Sequence, residues 1–175
     1  QGIEVQPVIV SQEKLRLIEG SLLLFYTRMT RSASEVVEEQ LEHTRDLKVD
    51  RQLDRMAAQV DEAQELLSAY DGLELLKRFG LLLQEGWELK KQLSKKITNS
   101  TIDHYYAEAL KHGALGGKIG GAGSGGFLML LVEENQQAAV RHALRELDEV
   151  NFQFENSGTS IIYSHSPPNY TPFMP

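Results

Sequence analysis

Residues 113–126 read Gly-Ala-Leu-Gly-Gly-Lys-Ile-Gly-Gly-Ala-Gly-Ser-Gly-Gly. Eight of the chain's fourteen glycines fall there, and an apolar run, Phe127 to Val132, follows at once. Glycine reaches positive φ without a Cβ penalty but loses the most backbone entropy on folding. A cluster this dense is worth that cost where the backbone bends sharply and passes close to something. Two partners fit: a ligand, often a phosphate met by backbone N–H groups, or another loop. The stretch has no Gly-x-x-x-x-Gly-Lys-[Ser/Thr] pattern, so it is not a P-loop. It stands after a predicted helix and before a predicted strand, the reverse of the order in a dinucleotide-binding turn.

The rest of the chain reads as a scaffold for this turn. Residues 3–10 alternate around Pro7 as an edge or linker strand. Ser11 to Glu19 forms a short helix. Ser21 to Thr27 is a compact apolar run, expected as a strand buried on both faces. A basic turn, Thr27-Arg28-Met29-Thr30-Arg31, leads to a capping box, Ser32-Ala33-Ser34-Glu35. The helix it opens carries Val36, Val37 and Leu41 on one face. Helical periodicity then covers 50–70 through Leu53, Met56, Val60 and Leu67, and 71–95 through Leu75, Phe79, Leu83 and Trp87. Gly80 and Gly86 interrupt the second of these. Each costs about 1 kcal/mol against Ala, which predicts close helix contact or a break.

A second capping box, Ser100 to Asp103, starts a helix with Ile102, Tyr106 and Ala109, and Gly113 is placed to cap its C-terminus in the left-handed region. Asn135 is expected to cap a helix reaching Leu147. Val150, Phe152 and Phe154, then Thr159 to Tyr163, predict a terminal hairpin. The order implies an α+β fold: an antiparallel or mixed four-stranded sheet with helices packed on one face, plus extra helices.

A length of 175 residues suits one domain with a core of its own. The net charge of −7 argues against a nucleic-acid or anionic-membrane surface. No apolar run approaches the roughly 18 residues of a membrane span. With no cysteine, disulfides, thiol chemistry and zinc–thiolate sites are excluded, which fits a cytoplasmic location. The five histidines lack metal-ligand spacing, so no metal is expected. Gln1 to Val8 has neither the basic nor the apolar region of a signal peptide. It reads as a strand cut from a longer chain. Among isolated side chains, Arg28, Arg31 and Lys118 are possible anion contacts, against the plainer reading of solvated cations. Trp87, at helical spacing, is expected in the core rather than against a sugar.

Lys118-Ile119-Gly120-Gly121-Ala122-Gly123-Ser124-Gly125-Gly126 resembles the third, C-terminal motif of the GHMP small-molecule kinases. Ser21 to Thr27, Thr30 to Val36, Trp87 to Lys91 and Phe152-Gln153-Phe154 are similar to the branch acting on heptose 7-phosphate. The resemblance covers nearly the whole chain. It implies the ferredoxin-like C-terminal domain of that family over 11–175, with 1–10 the remnant strand of an N-terminal kinase domain. It also implies that Gly120, Gly121, Ala122, Gly123, Ser124 and Gly125 line a cleft and support a phosphate loop from the other half. Gly120 stands where many members have Thr, and Ser124 interrupts the usual glycines.

The family's Pro-x-x-x-Gly-Leu-Gly-Ser-Ser loop is absent from these residues, as is the region supplying the acidic base and Mg²⁺ ligands. The expectation is an intact kinase using ATP and Mg²⁺ on a sugar phosphate, of which this half holds no catalytic residue, binds neither cofactor alone, and self-associates through the face its partner domain would cover. The alternatives are a non-catalytic phosphate-binding module and a helical interaction domain whose glycine turn is structural.

Overall fold

In the computed structural model, residues 7–29, 33–155 and 158–161 are described. Among them are six α-helices and a four-stranded sheet: α1 (Gln12–Ser21), β1 (Leu22–Tyr26), α2 (Ala33–Arg45), α3 (Asp50–Ala69), α4 (Gly72–Leu93), α5 (Ser100–Lys111), β2 (Ala114–Ile119), β3 (Phe127–Val132), α6 (Gln137–Ala143) and β4 (Asp148–Glu149). The spatial order is β2-β3-β1-β4, and every pairing is antiparallel. The α+β expectation holds.

Alternation explains which side of the sheet is dry. Leu23 and Phe25 of β1 pair with Leu130 and Leu128 of β3, so all four share one face. That face is buried, together with Ile102, Tyr106 and Ala109 of α5, Val140 of α6, and Trp87 and Leu93 of α4. Their neighbours Leu22, Leu24 and Tyr26 are only half-buried, and Phe127 is exposed. β1 is therefore buried on one face rather than two. The other face is part open at β1 and is covered at β2, where α4 meets Gly116.

The four strands are not all the expected four. The first half of the glycine stretch is itself a strand, β2, rather than part of a turn. Its register with β3 runs from Ala114 opposite Val132 to Ile119 opposite Leu128, with an irregularity between Ala114 and Gly116. Glycine weakens a strand, but here it permits contact. A Cβ on Gly116 would stand 2.0 Å from the Gly80 carbonyl oxygen, and one on Gly80 would stand 2.5 Å from Leu115 Cβ. Helix α4 thus lies backbone to backbone on the outer strand, which is the close contact expected at Gly80.

At the other end the predicted hairpin is not formed. β4 pairs only Glu149 with Phe25 and Asp148 with Tyr26. One further bond follows, from Val150 N to Leu24 O at 2.8 Å, and residues 151–155 are then irregular. Phe152 and Phe154 meet each other, with ring centroids 6.2 Å apart, instead of entering the core. Residues 158–161 form no strand, and Ile162 and Tyr163 lie outside the described residues. So do residues 3–6, Thr30, Arg31 and Ser32; residues 7–10 are irregular.

Two caps differ from expectation. Asn99, not Ser100, caps α5: its side-chain oxygen accepts from Thr101 N at 3.0 Å and Ile102 N at 3.1 Å. Asn135 lies inside a 3-10 turn, Glu134–Gln136, that leads into α6. Ser11 does cap α1, its Oγ accepting from Lys14 N at 3.1 Å. Gly113, at φ +105°, follows α5 as expected, and its N–H donates to Leu110 O at 3.2 Å.

Candidate functional site

Residues 120–126 form the loop that joins β2 to β3. The hairpin closes where Gly120 N donates to Phe127 O at 2.8 Å. Gly121, Gly123, Ser124 and Gly126 all have positive φ, at +70°, +110°, +64° and +85°. That run of left-handed residues demands glycine sterically, and the density of the motif follows from it. Ser124 alone takes the conformation with a side chain.

The loop is anchored from three sides, almost wholly by backbone. From the α4–α5 connection, Ile97 O accepts from Ser124 N at 2.6 Å. From the exit of β1, Met29 O accepts from Gly126 N at 2.9 Å, while Gly126 O accepts from Thr27 N at 2.8 Å and from Thr27 Oγ1 at 2.9 Å. From α4, Lys90 Nζ donates to Gly121 O. These anchors leave no room for Cβ atoms. One on Gly123 would lie 2.6 Å from Ile97 O, and one on Gly125 would lie 2.3 Å from Met29 O.

The amides of Gly121, Ala122, Gly123 and Gly125 donate to no partner among the described residues. Unspent N–H groups beside left-handed backbone are the donors that anion-binding concavities use. Ser124 is 1% exposed, and its Oγ has no hydrogen-bond partner.

The remaining predicted site residues divide. Arg28 is committed elsewhere: its Nε and a terminal nitrogen hold Asp148 at 2.8 and 2.6 Å, tying the end of β1 to β4. That bidentate pair holds the Asp148 carboxyl below its usual range. Lys118 projects from β2 on the face of Gly116, two residues before it, and is half-buried. Lys90 falls on the α4 stripe Gly80–Leu83–Trp87–Lys90, at helical spacing. Burial, followed by the charge of Lys118, lowers its pKa. Trp87 is 1% exposed, in the core as expected.

Sequence reasoning missed the part that Lys90, Ile97, Thr27 and Met29 play in the loop, although Thr27 and Lys90 fall in segments that carry the family resemblance.

Beside the loop, α3 and α4 enclose an open groove of about 890 Å³. Its apolar walls include Met56, Val60 and Leu67 of α3 and Leu83 of α4, and Lys90 and Lys118 line it too. Helix α3 buries none of its residues fully. It is held to α4 by Arg55, which pairs with both Glu62 and Glu85.

A small α+β domain whose glycine hairpin is pinned by backbone to a strand exit and a helix connection is a recognisable class. Residues 73–149 match the family of GHMP kinases C terminal, and this part of the chain is a GHMP kinase C-terminal domain. The chain is 28% identical over 145 residues to a D-glycero-alpha-D-manno-heptose 7-phosphate kinase of Campylobacter jejuni, an alignment covering 81% of this chain and 41% of that protein. It is 33% identical over 129 residues to a mevalonate kinase of Thermococcus sibiricus, covering 72% of this chain and 38% of that one. It therefore spans about two fifths of the length of both relatives. In fold it resembles the crystal structure of L. major mevalonate kinase, with a TM-score of 0.62 at 24% identity over 71% of this chain and 37% of that one.

Proposed function

We propose that this chain is the C-terminal half of an ATP-dependent sugar kinase that transfers the γ-phosphoryl group to a hydroxyl of heptose 7-phosphate. The observation that carries the reading is the set of four unspent amides in the pinned loop. Phosphoryl transfer depends on positioning and on stabilising charge around the transferring group, and N–H donors fixed before the substrate arrives do both without reorganising. Gly120 to Gly125 line the phosphate side of the cleft. The likeness to the heptose 7-phosphate kinase supports the choice of acceptor, and the shared family supports ATP as donor.

ATP would bring the phosphoryl group, and Mg²⁺ would neutralise its charge. The loop amides fit a phosphate. Among the described residues no group of three acidic or histidine side chains is arranged to hold a metal ion, so the ligands for Mg²⁺ are assigned to the N-terminal kinase domain. That domain would also supply the Gly-Leu-Gly-Ser-Ser loop and the catalytic base. Exposed apolar side chains such as Leu47 and Leu81, 72% and 65% exposed, suit burial against that half, or self-association without it. No helix among the described residues is long and apolar enough to cross a membrane. Action in the cytoplasm is part of the same proposal.

The test is the coding sequence immediately upstream of Gln1, followed by a phosphotransfer assay. The expected result is a Gly-Leu-Gly-Ser-Ser loop upstream, with no turnover of ATP and heptose 7-phosphate by these 175 residues alone. An upstream frame without that loop removes the kinase reading. Turnover by the chain alone contradicts its assignment as the half without catalytic residues.

A further inference from the structure

Two cations beside the glycine loop, Lys90 and Lys118, have no carboxylate partner among the described residues. Lys118 enters no ion pair and no hydrogen bond among the described residues. Lys90 has one partner, the neutral Gly121 carbonyl, although an ammonium carries three donors. Neither is matched by a carboxylate, while Lys14, Lys48, Lys91, Lys96 and Lys111 all are. The fold brings the pair together from two directions. β2 presents Lys118 on the face of Gly116, and α4, seated against Gly116 through Gly80, delivers Lys90 three turns further on. Both line the α3–α4 groove, whose one acidic lining residue, Asp61, pairs with neither.

Holding two half-buried like charges beside one groove is unfavourable until an anion sits between them. The depressed pKa of Lys90, from burial and then from Lys118, is the signature of that cost. The groove offers the rest of a small ligand a mostly apolar wall, the usual composition of a binding site with a few placed polar groups.

We propose that Lys90 and Lys118 form a phosphomonoester subsite, separate from the loop amides, that holds the non-reacting phosphate of the acceptor, with the body of that molecule in the α3–α4 groove. The role as an acceptor subsite rests on the kinase reading; the binding of a phosphomonoester does not. The same contact links ligand to loop. Lys90 bonds the phosphate and the Gly121 carbonyl at once, so occupancy stiffens the loop that faces the transferring group.

The experiment is a calorimetric titration of the 175-residue chain, without ATP, against sedoheptulose 7-phosphate and against neutral sedoheptulose. The phosphate ester binds and the neutral sugar does not. Lys118→Met weakens binding about tenfold, the loss of one charge-assisted contact. Lys118→Arg retains the affinity, and Lys77→Met, which removes an exposed charge elsewhere on α4, leaves it unchanged. Should Met disturb β2, as read by circular dichroism, Lys118→Gln takes its place.

Equal affinity for the neutral sugar overturns the proposal, as does unaltered binding in Lys118→Met or a matching loss in Lys77→Met. If the Lys118 effect holds but no kinase half lies upstream, the phosphate site stands and its acceptor role falls.

Discussion

Gly116 and Gly121 belong to one glycine-rich stretch and answer to different constraints. At Gly116 the backbone is in a strand, and a Cβ would stand 2.0 Å from the Gly80 carbonyl oxygen. At Gly121 nothing lies within 4 Å, and φ is +70°. The strand half of the stretch uses glycine for closeness, so that α4 can lie against β2. The loop half uses it mainly for conformation, so that the chain can turn through left-handed backbone. Gly123 needs both, with φ +110° and a Cβ position 2.6 Å from Ile97 O. One residue type therefore builds the support and the presented surface through separate physics, and each can be broken without the other.

The largest effect is expected at the support. Gly116→Ala drives a methyl group into the Gly80 peptide of α4, backbone that cannot move aside. Overpacking of this kind costs about 3 kcal/mol or more, and for a chain of this size each kcal/mol lowers the Tm by roughly 2–4 °C. Thermal unfolding reads the loss. A variant as stable as the parent would mean that α4 does not sit on β2 as described.

Smaller, and opposite in sign to each other, are two changes in the loop. Gly121→Ala has space but the wrong φ, and should cost about 1 kcal/mol. Ser124→Gly removes the side chain from a left-handed position and deletes a buried hydroxyl without a partner. Relief of roughly 1–2 kcal/mol of strain outweighs the roughly 0.5–1 kcal/mol of added chain entropy. Chemical denaturation should show this variant to be slightly the more stable. A clear loss would mean that the Ser124 hydroxyl is engaged.

The smallest effect sharpens a second contrast. The loop is held by backbone bonds, whereas α3 is tied to α4 in part by charge, through Arg55 and Glu85. Glu62 and Glu85 have their carboxyls held below the usual range, in each case first by the hydrogen bond from Arg55. A carboxyl with a lowered folded pKa stabilises fully above its unfolded value and loses that contribution as pH falls through the folded value. Stability should thus be flat above about pH 5 and decline below about pH 4. Amide exchange should rise in α3 before it rises around 120–126. The exposure of the cluster keeps the effect small. Loop amides that loosen first on acidification would reverse the assignment.

Much of the helical scaffold was legible because its signals are local. The apolar spacing over 50–70 and 71–95 returned α3 and α4 almost to the residue, since a period of 3.6 needs no knowledge of the partner. The strands were harder. β2 contains three apolar side chains among six residues, two of the others being glycine, so neither alternation nor propensity marks it. Only pairing with β3 makes it a strand. The predicted terminal hairpin failed for the converse reason. Phe152 and Phe154 alternate correctly, but β4 gives out at Glu149, and alternation without a partner strand is only extended chain.

The sequence by itself determined that the backbone bends through left-handed conformations within 113–126, because few residues tolerate that φ as glycine does; pairing of β2 with β3 placed the bend at 120–126. The sequence also determined the family to which the motif points. Tertiary structure decided what the bend is for. Ile97, Thr27, Met29 and Lys90 reach the loop through carbonyl groups, an amide, a hydroxyl and one ammonium. Backbone groups are the same in every residue and leave no trace in composition. The meeting of Lys90 with Lys118 was hidden for a related reason. It depends on the depth to which α4 sinks onto β2, and that depth is set by two missing methyl groups, at Gly80 and Gly116.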